Sequence, residues 1–143
     1  MNHEGAGIIK ASWAGTLVFA IVATIATIDP DSLGVPAVVV SLLLFAAGSI
    51  AMFWAFLIAV QRSRTDAIGI GGLYFGAGSA PKPVQRHLMG SLAIQLVVAF
   101  ATASIRVFTS LAFGILVPVW GLGLAGLWCA RHGEFAPRAD ADR

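Results

Sequence analysis

RVFTSLAFGILVPVWGLGLAGLWCARH, residues Arg106 to His132, is the stretch that decides the fold. Between Arg106 and Arg131 the one ionisable side chain is Cys129. At about 1.5 Å of rise per residue, some 20 helical residues cross a hydrocarbon core of roughly 30 Å. The segment therefore reads as a transmembrane helix over approximately residues 111–130. Its surface is bare of large side chains at Gly114, Gly121, Gly123, Ala125, Gly126 and Ala130. Gly121 and Ala125 stand four apart, as do Gly126 and Ala130. That spacing lets two helix backbones approach closely in lipid. Pro118 has no N–H to offer the carbonyl four residues back, so a bend is expected there.

The rest of the chain reads the same way. It has 143 residues, 58% of them apolar and 11% charged, with a mean hydropathy of +0.87, a balance foreign to soluble domains. Every Lys, Arg, Asp and Glu lies in or beside a break between apolar runs. A single cysteine excludes an internal disulfide and a thiolate metal cluster. The net charge of +2 is too small to suggest nucleic acid as a partner.

Four spans are predicted within one membrane domain, residues 1–143: helices at approximately 9–28, 36–60, 88–105 and 111–130. The first run is longer than a signal-peptide core and has no A-x-A site before Asp29, so it is expected to be retained. Trp13 stands where an interfacial aromatic anchor belongs. Asp29 to Pro36, DPDSLGVP, has the composition of a turn. In the second helix Ala47, Ala51, Ala55 and Ala59 recur every fourth residue, a smooth ridge expected to face inward. Gln95 is the one strongly polar side chain of the third helix and is expected to bond to a neighbouring helix. The short link at Arg106–Ser110 makes the third and fourth helices an antiparallel hairpin. The fold class is therefore all-α, a polytopic membrane protein of two antiparallel hairpins.

The long connection, residues 61–87, carries Gly69, Gly71, Gly72, Gly76 and Gly78. It is not a phosphate-binding loop, because it lacks GxxxxGK[ST] and no strand precedes it. It reads as a flexible loop whose Leu73, Tyr74 and Phe75 dip into the membrane interface. The tail, residues 131–143, reads as polar and mobile.

Orientation follows from the bases. With four spans, Lys10, Arg62, Arg64, Lys82, Arg86, Arg131, Arg138 and Arg143 share one side, and Arg106 stands on the other with Asp29 and Asp31. The positive-inside rule then puts both termini and the long loop in the cytoplasm. Arg106 either snorkels to the outer interface or pairs with Asp29 or Asp31 across the two outer turns.

No Asp, Glu, Lys or His falls at membrane depth, which argues against an ion-coupled exporter. No H-E-x-x-H or G-x-S-x-G occurs, and His3, His87 and His132 stand at or outside the interface. No catalytic residue, cofactor or metal site is expected. Cys129 reads as a buried thiol. The small-residue faces are expected to divide the packing between them. The ridge at Ala47, Ala51, Ala55 and Ala59, with Gln95, would serve the interior. The face at Gly114, Gly121, Ala125, Gly126 and Ala130 would meet a partner.

The block Arg106 to Arg138, RVFTSLAFGILVPVWGLGLAGLWCARHGEFAPR, resembles the last helix of the LucB-like family of small four-helix actinobacterial membrane proteins. Helices one to three share hydropathy rather than motif with it. The resemblance implies an accessory subunit of an Mce-type lipid importer, seated beside a YrbE-type permease in the inner membrane and moving fatty acids or other lipids. It supplies no catalytic residue. An independent small carrier of an apolar solute is the alternative function.

Overall fold

The structure is a computed structural model and describes residues 5–105 and 110–137. The chain forms helices α1 (Ala6–Ile28), α2 (Pro30–Arg62), a short α3 (Ile70–Tyr74), α4 (Lys82–Ile105) and α5 (Pro118–His132), with a 3-10 segment over Ser110–Leu116. Among the described residues, four stretches are long and apolar enough to cross a membrane: Ala6–Ile28, Asp31–Arg62, Lys82–Ile105 and Phe113–His132.

The turn expected over Asp29–Pro36 is reduced to Asp29 alone. Pro30 opens α2 where a missing N–H costs nothing, and Leu33 N–H already bonds to Asp29 O at 3.2 Å. Pro36 sits inside α2 and forfeits one hydrogen bond close to the helix start. The prolines thus begin a helix instead of breaking one. Similarly, α4 starts at Lys82, earlier than expected, with Pro83 in its first turn and Gln85 N–H bonded to Pro81 O at 2.9 Å.

The two hairpins lie side by side. Ala26 packs on Ala37, and Leu44 packs near Phe19, so α1 and α2 are antiparallel. Ser12 meets Ser91 and Thr16 meets Gln95, so α1 and α4 are parallel. The contact of α2 with α5 is the most extensive in the bundle. It is set by Gly48 and Gly123. A Cβ on Gly123 would lie 2.2 Å from the Gly48 carbonyl oxygen, and one on Gly48 would lie 2.5 Å from Trp120 Cα. Ala55 and Ala59 continue this contact toward Ala130.

The fourth span is broken. Val117 N–H bonds to Gly114 O at 3.0 Å and Trp120 N–H to Val117 O at 2.8 Å, both three residues back. Pro118 cannot make the four-back bond, and the chain tightens into 3-10 geometry before α5 begins. The single helix expected over residues 111–130 is thus two pieces.

The long connection is not a free loop. Leu73 is buried against Ala55, Ala59 and Ala130, and Tyr74 donates to Met52 O at 3.2 Å. Gly76 and Gly78, with φ of 68° and 75°, supply the left-handed turns that fold it back. The described tail is packed against it: Ala67 N–H bonds to Ala136 O at 2.8 Å and Glu134 N–H to Ser79 O at 2.8 Å. Leu73 and Tyr74 therefore serve the bundle, not the lipid interface. Residues from 138 onward lie outside the described structure.

The crossing of α2 and α5 tolerates no added atom, because the colliding groups are backbone. Gly48→Ala and Gly123→Ala should each destabilise the protein by about 1–3 kcal/mol, the range for forced overpacking. Gly7→Ala, where a Cβ meets nothing within 4 Å, should be neutral or slightly stabilising. Unfolding midpoints in mild detergent for the three variants check the contrast.

Candidate functional site

Four buried polar side chains of the membrane-spanning helices converge on one place. Ser12 and Thr16 stand one turn apart on α1, and Ser91 and Gln95 one turn apart on α4. All four are buried. Four-residue spacing puts each pair on one helix face, and the parallel packing of α1 on α4 brings the faces together.

Gln95 is the hub. Its Nε2 donates to Thr16 Oγ1 at 2.6 Å and to Ser91 Oγ at 3.2 Å. Its Oε1 accepts from the Gly121 backbone N–H at 3.1 Å. Thr16 Oγ1 donates to Ser12 O at 2.8 Å. Ser91 Oγ lies 2.7 Å from both Ser12 Oγ and Thr16 Oγ1. One assignment satisfies every proton: Thr16 gives its hydrogen to Ser12 O, Ser91 to Thr16, Ser12 to Ser91, and both amide hydrogens of Gln95 are used.

The Gly121 contact follows from the helix break. The first N–H groups of a helix have no intrahelical acceptor. Gly121 is the fourth residue of α5, and Trp120 already occupies Val117 O. Gln95 satisfies that orphan donor from another helix. Gly121 must be glycine for this, since a Cβ there would lie 2.7 Å from Gln95 Oε1. Two buried donors, Nε1 of Trp120 and of Trp128, have no acceptor among the described residues.

The expected division of the small-residue faces is overturned. Gly121 packs on Gln95, Gly126 on Tyr74 and Ala55, and Gly114 on the Phe19 ring. Ala125 and Ala130 are fully buried. The face assigned to a partner is thus consumed inside the chain: Gly114 and Ala125 meet α1, Gly121 and Ala125 meet α4, and Gly126 and Ala130 meet the α2 face that holds Ala55 and Ala59. Ala47 is exposed. The reason is geometric. A strict four-residue repeat drifts about 40° around a helix at each step, so it cannot follow one straight neighbour. Gly48, three residues before Ala51, takes the place assigned to Ala47.

Arg106 lies outside the described residues, and so does any pairing with Asp29 or Asp31, both of which are exposed. The ion pair that is described stands at the other end of the bundle. Arg62 reaches Asp66 at 2.9 Å, donates to Ala130 O at 3.0 Å and stacks 5.0 Å from the Phe135 ring centre. It satisfies a carbonyl at the C-terminus of α5 while joining α2, the connection and the tail. Nearby, burial raises the Tyr74 phenol from its ordinary value, keeping it a neutral donor.

The described residues contain no group of three or more His, Cys, Asp or Glu able to hold a metal. Cys129 is buried. The Ser12–Thr16 and Ser91–Gln95 pairs went unread in the sequence. Their signal was the four-residue spacing of polar residues in otherwise apolar helices. Comparison of the chain with protein-family models, with curated proteins and with solved structures gave no match.

Gln95→Leu keeps the volume but strands Gly121 N–H and removes the amide's bonds to Thr16 and Ser91. It should cost about 1–2 kcal/mol, given that single interhelical bonds in lipid contribute about 0.6–2 kcal/mol. Ser12→Ala, which removes one peripheral bond, should cost less than half as much. Denaturant titration in mixed micelles measures both. Equal stability of Gln95→Leu and wild type would refute the hub.

Proposed function

We propose that the chain is a non-catalytic accessory subunit of a lipid (fatty acid) transport complex in the bacterial inner membrane. It would stabilise or modulate a larger permease, of the YrbE type found in Mce complexes, through helix packing among membrane lipids. The observation that carries this reading is the closure of the polar cluster. The amide of Gln95 and the hydroxyls of Ser12, Thr16 and Ser91 are fully engaged with one another and with Gly121. No free polar group is left among them to handle a solute at membrane depth. The resemblance over Arg106–Arg138 supplies the kind of complex.

The outer surface supports the same reading. Helix α2 keeps Ile50, Phe53, Trp54 and Leu57 more than half exposed. That face is free to meet lipid or another helix. In lipid, association rests on close packing and not on a hydrophobic drive. The charge pattern supports an orientation with both termini and the long connection in the cytoplasm.

Two experiments test this. Cysteines introduced as Ser32→Cys and Thr65→Cys fall on exposed positions at opposite ends of α2, and wild type, with Cys129 buried, is the blank. A membrane-impermeant maleimide should label Ser32→Cys in intact cells and Thr65→Cys only after lysis. The reverse pattern would invert the topology. In mild detergent the tagged protein should co-purify with larger membrane subunits, a YrbE-type permease among them. Migration alone or as a small homo-oligomer would favour an independent carrier of an apolar solute.

A further inference from the structure

On the outside of the bundle, α1 and α4 leave a groove of about 600 Å3, lined by Ile9, Lys10, Trp13, Ala14, Leu17 and His87. It lies at the end that carries the long connection, where α1 and α4 both begin. Lys10, Trp13, Ala14 and Leu17 follow one face of α1 at spacings of three, four and seven. The groove therefore runs from a charged mouth to an apolar floor along the membrane normal. Trp13 leans over Gly90, whose Cβ would stand 3.9 Å from the indole, and meets the His87 ring edge-on with centroids 6.4 Å apart. Ala14 forms the notch beside it. Leu17, 62% exposed, continues the floor into the lipid-facing surface.

The mouth holds donors without acceptors. Lys10, the Trp13 indole and His87 make no hydrogen bond or ion pair with the described residues, and the described ion pair, Arg62–Asp66, is elsewhere. Lys82 and Arg86, exposed on the first turns of α4, add to the positive field. Such a mouth fits a group that only accepts hydrogen bonds and carries negative charge. The apolar floor, open sideways to the bilayer, fits an acyl chain attached to that group.

We propose that this groove is a seat for one acidic phospholipid. The phosphate would sit between Lys10, Trp13 and His87, and an acyl chain would lie over Ala14 and Leu17. The proposal stands whether or not the chain joins a larger complex.

The test uses the full chain in mild detergent, titrated with dibrominated phosphatidylglycerol or dibrominated phosphatidylcholine. Quenching of tryptophan fluorescence is read, and Trp13→Phe identifies the share due to Trp13. The acidic lipid should quench that share at a several-fold lower mole fraction than the zwitterionic one. Lys10→Gln should weaken the preference about fivefold, the factor for the ~1 kcal/mol a base gains near an anionic surface. His87→Gln should weaken it too, and Lys10→Arg should retain it. Ala14→Leu, which fills the notch, should reduce quenching by both lipids. The Lys82→Gln/Arg86→Gln pair, outside the groove, should keep most of the preference. Circular dichroism melts confirm that each variant is folded. Equal quenching by the two lipids in wild type overturns the proposal. So does a preference abolished by the Lys82/Arg86 pair but kept in Lys10→Gln, which would mean a diffuse surface field. Displacement of the lipid by millimolar inorganic phosphate would mean a free-anion site and would overturn it as well.

Discussion

The backbone of α2 touches the backbone of α5 at Gly48 and Gly123, and the remaining architecture follows from how close that contact is. With no side chain at either position, the Gly48 carbonyl lies where a Cβ of residue 123 would be. In lipid, apolar side chains gain little by leaving one hydrocarbon for another. Association must come from dispersion at short range, which small residues permit. Once α2 and α5 meet this closely, Ala55 and Ala59 are brought to Ala130, and Gly126 offers a hollow that the Tyr74 ring fills. The connection after α2 is thereby drawn down onto the bundle. Leu73 and Tyr74 behave as core residues although they belong to a glycine-rich loop.

The second constraint is that hydrocarbon offers no hydrogen bonds. Every backbone group freed at membrane depth needs a partner from the protein. Pro118 frees such groups by breaking the fourth span, and the 3-10 turn around Val117 recovers part of the loss. Gly121 N–H remains, and Gln95 accepts from it. The amide of Gln95 then needs acceptors of its own, which Thr16 and Ser91 provide. A proline on one helix is thus linked to a glutamine on a second and hydroxyls on a third. The break and the polar cluster are one feature of the fold.

Much of this was legible in the chain, and the failures have specific causes. The four spans and their hairpin order follow from hydropathy, which needs only length and composition. The role of Gln95 followed from the cost of a lone amide in lipid. The starts of α2 and α4 lie earlier than hydropathy places them, because DPDSLGVP has a turn's composition and Lys82 to His87 is polar, yet Pro30 and Pro83 suit a first turn and Pro36 costs α2 one bond. The α5 glycine face was assigned outward because spacing reveals that a face packs closely, not against what. Gly48 was missed because a strict four-residue alanine repeat drew attention to Ala47, which the drift of the helix carries outward. Arg62 and Asp66 stand four apart, but Ala130 and Phe135, which complete the cluster, come from the far end of the chain, and no local pattern encodes that meeting.

These outcomes constrain where function can reside. The closely packed small-residue surfaces and the described membrane-depth hydrogen-bonding groups of the cluster are committed to holding this chain together. What it presents outward is of two kinds. One is apolar helix surface, greatest on α2, which at 33 residues extends about 50 Å and outreaches a core of roughly 30 Å. The other is the set of basic and aromatic groups at the end bearing the connection. Arg62 there is bound into the fold by Asp66 and Ala130 O, whereas Lys10 and His87 are not. The distinction separates bases that build the protein from bases available to its surroundings. The proposed lipid seat draws on bases of the second kind.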